Sequence, residues 1–170
     1  MAKAYQVVSD PFYINGSVTE TAADTFTEVQ ISAPLDSLNR EGLLVHAVYF
    51  SGDEPGRVPN ANSSVRYQVT TTSKTGLVGV NDANLISGQQ KIISGGVAEF
   101  SGPHLVDLVG SNDPYQPSDQ LAIVATDDVY LAVKGDNQTA ARTASVRIVA
   151  SRIKLSADAY AALVTNELSS

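Results

Sequence analysis

The stretch from Gln120 to Leu155 constrains the fold most, because LAIVATDDVYLAVKG and DNQTAARTASVRIVASRIKL crowd three apolar runs together with only polar punctuation between them. Leu121, Ile123 and Ala125 alternate with Ala122, Val124 and Thr126. After Asp127-Asp128, Val129, Leu131 and Val133 alternate with Tyr130, Ala132 and Lys134. A period of two belongs to strands, whose side chains point to opposite faces in turn, and β-branched residues suit that pleat. Gly135-Asp136-Asn137 offers a turn tolerant of positive φ, and the chain returns through Val146 and Ile148. The three runs predict a long meander with one face buried, and such a sheet needs a second one to cover it.

The preceding residues can furnish that cover. Tyr5 to Val8 is a short apolar start, Pro11 separates it from Phe12-Tyr13-Ile14, and Asn15-Gly16 predicts a tight hairpin turn. Thr25 to Ile31 reads as a strand ending before Pro34, with one helical turn between Pro34 and Asn39. Leu43 to Phe50 is apolar on both parities, which predicts cover on both faces. Ser51 to Ser64 is a loop by its prolines, glycines and asparagines. Val65, Tyr67, Val69 and Thr71 then alternate with Arg66, Gln68 and Thr70. Leu77 to Val80, Leu85-Ile86, Lys91 to Ile93, Val97 to Phe100 and Leu105 to Val109 are weaker strand candidates, and Gly110 to Ser118 is again a loop.

Between Val146 and Leu155 the apolar parity slips. A β-bulge near Ala150-Ser151 is expected, bringing Val146, Ile148, Ile153 and Leu155 to one core. Ser156 then caps a helix over 156–168, with Asp158 in its first turn and an apolar stripe of Tyr160, Leu163, Val164 and Leu168 opposite Thr165, Asn166 and Glu167. That helix is expected on the sandwich edge or on a neighbouring subunit. The reading is one all-β domain over 1–170, an antiparallel jelly-roll-like sandwich or barrel with a short C-terminal helix. Val65, Tyr67, Val69, Leu121, Ile123, Val129, Leu131, Val133, Val146 and Ile148 should point mainly inward.

The chemistry is sparse. Cysteine is absent, which removes disulfides, thiolate metal sites and cysteine nucleophiles. Eleven basic against eighteen acidic residues give a net charge of -7, which repels nucleic acid and anionic lipid unless the cations gather on one face. Arg142, Arg147, Arg152 and Lys154 do gather in sequence, but their parity is mixed, so solvated or inter-subunit ion pairing is the preferred reading and no sequence-specific nucleic-acid binding is expected. No apolar run reaches the ~18 residues that suggest a transmembrane helix, and Met1 leads into polar sequence, read as synthesis in the cytoplasm with no cleaved leader.

His46 sits within an apolar strand and reads as a core or interface residue. His104 and Asp107 stand three apart, which places them on opposite faces of an extended chain. Asp107, Asp113, Asp119, Asp127, Asp128 and Asp136 cluster around loops, where Ca²⁺ is conceivable, but aspartates that start turns are the preferred reading. No residue is assigned a catalytic, cofactor-binding or metal role, and no enzyme activity is expected.

A long β-domain filling the chain, the RYQVTTTS strand at Arg66 to Ser73, the tandem strands LAIVATDDVYLAVKG and a terminal RIVASRIKL strand together carry a resemblance. In pattern the chain resembles the small single jelly-roll major capsid proteins of icosahedral, membrane-containing double-stranded DNA viruses of archaea and thermophilic bacteria. The resemblance implies a self-assembling shell subunit without enzyme activity, located in the virion and assembled in the host cytoplasm. Its partners would be copies of itself and a second capsid protein. The alternative is a soluble β-sandwich carbohydrate-binding or adhesion module, recognisable by a concave patch with exposed Tyr13, Tyr115 or Tyr130 beside loop carboxylates. The absence of tryptophan weighs against that alternative, because sugar platforms favour large flat rings.

Overall fold

The structure, a computed structural model, describes residues 4–95, 104–109 and 121–168. Where apolar and polar side chains alternate the chain is extended, giving ten strands among these residues. They are β1 (Tyr5–Val7), β2 (Phe12–Thr19), β3 (Thr27–Ser32), β4 (Glu41–Gly52), β5 (Ser63–Thr70), β6 (Leu85–Ile93), β7 (His104–Val109), β8 (Ala122–Val124), β9 (Asp128–Asp136) and β10 (Thr143–Leu155). A 3-10 turn spans Ser37–Asn39, and the helix α1 spans Ala157–Leu168. The strands form two five-stranded antiparallel sheets. In the first, β1 and β2 lie in succession along one edge of β10, with β4 and then β8 beyond it; in the second the order is β3, β9, β5, β6, β7. Early and late strands are interleaved in each sheet, which is the winding of a jelly roll.

The meander expected over Gln120 to Leu155 does not form. β8 and β10 flank β4 in the first sheet, while β9 sits between β3 and β5 in the second. Alternation fixes that each run has a buried face, but either sheet of a sandwich satisfies that face equally well. The left-handed turn residue is Asn137, at φ 54, and Gly135 remains within β9. Asn15-Gly16 forms no hairpin either: both residues lie inside β2, opposite Arg147 and Val146. A Cβ on Gly16 would stand 2.1 Å from Ile31 Cδ1, so this glycine permits close approach of the facing sheet.

A bulge occurs at the expected level but on the neighbouring strand. Val149 pairs with Ala47 and Ala150 with Val45, so the extra residue is His46 of β4. Leu43 and Val45 before it, and Val48 and Phe50 after it, therefore reach the main core from opposite parities. β10 keeps its parity: Val146, Ile148 and Ala150 enter the main core, whereas Ile153 and Leu155 join Leu44 and Ala125 in a second cluster beneath α1. Of the ten residues expected inward, eight are buried in the main core; Leu121 only flanks it, and Ile123 packs against the second cluster. The Leu85-Ile86 and Lys91 to Ile93 candidates are one strand, β6. Val97 to Phe100 and Gly110 to Ser118 lie outside the described residues.

Ser156 Oγ accepts the Ala159 N–H (3.3 Å), and Tyr160, Leu163 and Val164 rest on the second cluster, as the helical spacing predicts. The end of the stripe is different. Leu168 is 70% exposed, while Glu167 is buried. Its carboxylate accepts the backbone N–H groups of Ala125 (2.8 Å) and Thr126 (3.0 Å), where the chain crosses from β8 to β9, and its carbonyl accepts from Asn84 Nδ2 (3.1 Å). Two unpaired amides at a sheet-to-sheet crossing need an acceptor more than Leu168 needs cover. The helix thus packs on its own molecule.

Candidate functional site

Each sheet has an outer face, and the two are treated differently. Over the second sheet the segment 71–84 folds back on β5: Gln68 accepts the Val78 N–H (2.9 Å), and both Gln68 and Arg66 donate to carbonyls of that segment. Burial there lowers the Arg66 pKa. Over the first sheet α1 covers only the half around Leu44, Ile153 and Leu155. Beyond Val149 the outward residues of β10 are Arg147 and Ser145, in register with Asn15 and Ser17 on β2 and with Tyr49 and Ser51 on β4. They line a shallow groove of about 930 Å³ with Tyr13, which is 65% exposed; Tyr49 is 47% exposed.

Among the described residues, Arg147 is the one charged residue lining that groove. Its Nε donates to Asn15 Oδ1 (3.1 Å), and its guanidinium carbon lies 5.3 Å from the Tyr13 ring centroid. Ring and amide hold the guanidinium in place, and among the described residues no acceptor takes its two Nη groups. Ser145 and Ser17 share a hydroxyl bond (3.0 Å) at one end, and Val149 and Tyr13 make the other end apolar.

The loops beyond the Ser17–Ser145 end of the groove are tied down by carboxylates. Glu20, buried, accepts the N–H groups of Gly135 (2.6 Å) and Arg142 (2.8 Å); Asp24 accepts from Gln138 N (2.9 Å); Asp53 accepts from Thr143 N (2.8 Å). Gln138 Oε1 takes both Arg142 Nε (2.9 Å) and Gly56 N (2.8 Å). Beneath them the fully buried Tyr67 donates its hydroxyl to the Asp53 carbonyl and stacks on Phe50 at 6.1 Å. Burial first, then the charges of Asp53 and Glu54, push its pKa well above the ordinary phenol value.

The remaining sequence candidates are dispersed. His46 and His104 lie in different sheets, and His46, half-buried at the bulge, shares a hydrogen bond with Ser151 Oγ (2.9 Å). Asp127 and Asp128 stand at one end of β9 and Asp136 at the other, roughly 27 Å apart at the rise of an extended chain. Asp113 and Asp119 lie outside the described residues, as does the side chain of Asp107. Among the described residues no three His, Asp or Glu side chains gather as a metal site. The basic cluster is spread as well: Arg142 serves Gln138, Arg147 serves Asn15, Arg152 lies 3.9 Å from Glu41, and Lys154 faces Gln6 in register. Of the expected tyrosines, Tyr13 lies in a concave patch, but beside Arg147 rather than loop carboxylates. Tyr130 lies elsewhere, on β9, with a pKa raised by burial and then by Asp128, Glu28 and Asp127; Tyr115 lies outside the described residues. Tyr49 was hidden in the sequence by the doubly apolar run of β4, which gives no sign of where α1 stops.

No protein-family model matches the chain, and no curated protein matches it. Among solved structures, a chain from Desmodium yellow mottle tymovirus is similar at 19% identity and a TM-score of 0.28, over 92% of this chain and 93% of that one. Among the described residues no helix is long and apolar enough to cross a membrane.

Proposed function

We propose that this protein is a structural subunit of a virus capsid, assembling with copies of itself into an icosahedral shell. The observation that supports this best is the strand order, in which β1, β2, β10, β4 and β8 face β3, β9, β5, β6 and β7. Viral capsids are among the recurrent users of that winding, although a fold by itself hosts many roles. The carboxylate-tied loops around Glu20 and Asp53 lend further support, because a lattice contact costs less ordering entropy when the loop that makes it is already fixed. In this reading the role is non-enzymatic and the place is the virion. A second capsid protein is a further partner, and the shell is of the small single jelly-roll kind that the sequence resembles. Light scattering with negative-stain microscopy across protein concentration tests it. Closed particles or ordered sheets are expected to grow with concentration, and a strictly monomeric species up to the ~1 mM range would overturn the proposal.

A further inference from the structure

The half of the first sheet that α1 leaves open among the described residues has the makings of a ligand site. We propose that the groove between Tyr13 and Tyr49 binds a carboxylated sugar, with Arg147 as the carboxylate receptor. Tyr13 and Tyr49 stand on β2 and β4, the strands on either side of β10, so their Cα atoms are separated by at least ~10 Å across the sheet. That separation suits two linked sugar rings, one with its carboxylate on the Arg147 guanidinium beside Tyr13 and the other lying on the exposed ring of Tyr49.

Charge selects the ligand class. In a chain of net charge -7, this groove has, among the described residues, a guanidinium as its one lining charge, already oriented by Asn15 and by the Tyr13 ring. Because Nε is engaged, the pair of Nη groups remains to receive a carboxylate in the two-point geometry that guanidinium favours. Ser17, Ser51, Ser145 and Asn15 add donors and acceptors for sugar hydroxyls. An acidic peptide fits less well. β10 and β4 are internal strands whose backbone groups are spent within the sheet, so a peptide lying here would gain no main-chain pairing.

The test is a titration of the full chain with sialyllactose and with digalacturonate, using lactose as the neutral control and following backbone amide shifts by NMR. Saturable shifts confined to the strands around Tyr13, Arg147 and Tyr49 are expected with the two acidic probes and not with lactose. Arg147→Gln should weaken binding about tenfold or more, and Arg147→Lys should recover only part of it. All three positions are exposed, and a circular-dichroism melt checks that the variants fold. Absence of saturable shifts up to ~10 mM ligand would overturn the proposal, as would equal response to lactose. It would also fall if Arg147→Gln or Tyr49→Ala abolished self-association while the sugars had no effect, because the face would then be a contact between copies. Assembly measured on the same samples keeps this result separate from the capsid reading.

Discussion

At the scale of single residues, Tyr67 couples the core to the loops above it. Its pKa is raised above the ordinary 10.0, so the folded state holds the phenolic proton more tightly than the unfolded state does. The associated stability is complete below about pH 10 and is lost as pH rises toward the folded value. Urea melts should show a declining alkaline limb that Tyr67→Phe flattens. The same variant should lose about 1–3 kcal/mol at neutral pH, because the Asp53 carbonyl loses its donor. Gly16 makes a steric claim of the same kind. Gly16→Ala drives a methyl into Ile31 and should cost about 1–3 kcal/mol. A double-mutant cycle with Ile31→Ala should show the two changes to be strongly non-additive, and simple additivity would mean that Ile31 is not the obstacle.

At the scale of elements, the helix is held by its last buried residue as much as by its stripe. Glu167→Gln puts an amide donor where a backbone N–H already points and should cost about 1–3 kcal/mol. Leu168→Ala, at an exposed site, should stay within ~0.5 kcal/mol. Chemical denaturation of the two variants side by side checks the contrast. A sequence pattern reverses that order, because helical spacing marks Leu168 as apolar stripe and Glu167 as solvent face, while the amides of Ala125 and Thr126 that claim Glu167 are some forty residues away. Local signals were legible wherever the cause was local: the alternation of β5, the break at Pro11, the Ser156 cap and the presence of a parity conflict. The sequence places the conflict on β10, because nothing in it tells that Ile153 and Leu155 belong to a second cluster on the other face. The bulge sits at His46 because β4 must present Leu43 and Val45, then Val48 and Phe50, to one core. Asn15-Gly16 misleads for a related reason, since only the facing Ile31 explains a glycine in mid-strand. The Tyr13, Arg147 and Tyr49 constellation could not be read from sequence at all, because its members come from three strands that only the fold makes neighbours.

At the scale of the whole molecule, charge sets the conditions for the assembly proposed above. Each copy carries -7, so neighbouring copies repel, and a Debye length that falls from about 30 Å at 0.01 M salt to about 10 Å at 0.1 M weakens that repulsion. Particle yield by light scattering should therefore rise from low to moderate salt at fixed protein concentration, and a monotonic fall would instead assign the contacts to ion pairs. The interleaved strand order has a further consequence, for biosynthesis. Ser17 of β2 bonds to Ala144 of β10, 127 positions later, and β4 likewise waits for β10 and β8. At ribosomal speeds of about 5–20 residues per second, β2 spends roughly 6–25 s without its partner strand. Ribosome-bound chains stalled before Thr143 should stay protease-sensitive, and those extended well past Leu155 should become resistant. Copies translated from one message would meanwhile hold identical unpaired strands side by side, so a holding chaperone or slow translation initiation would protect this fold from exchanging strands between siblings.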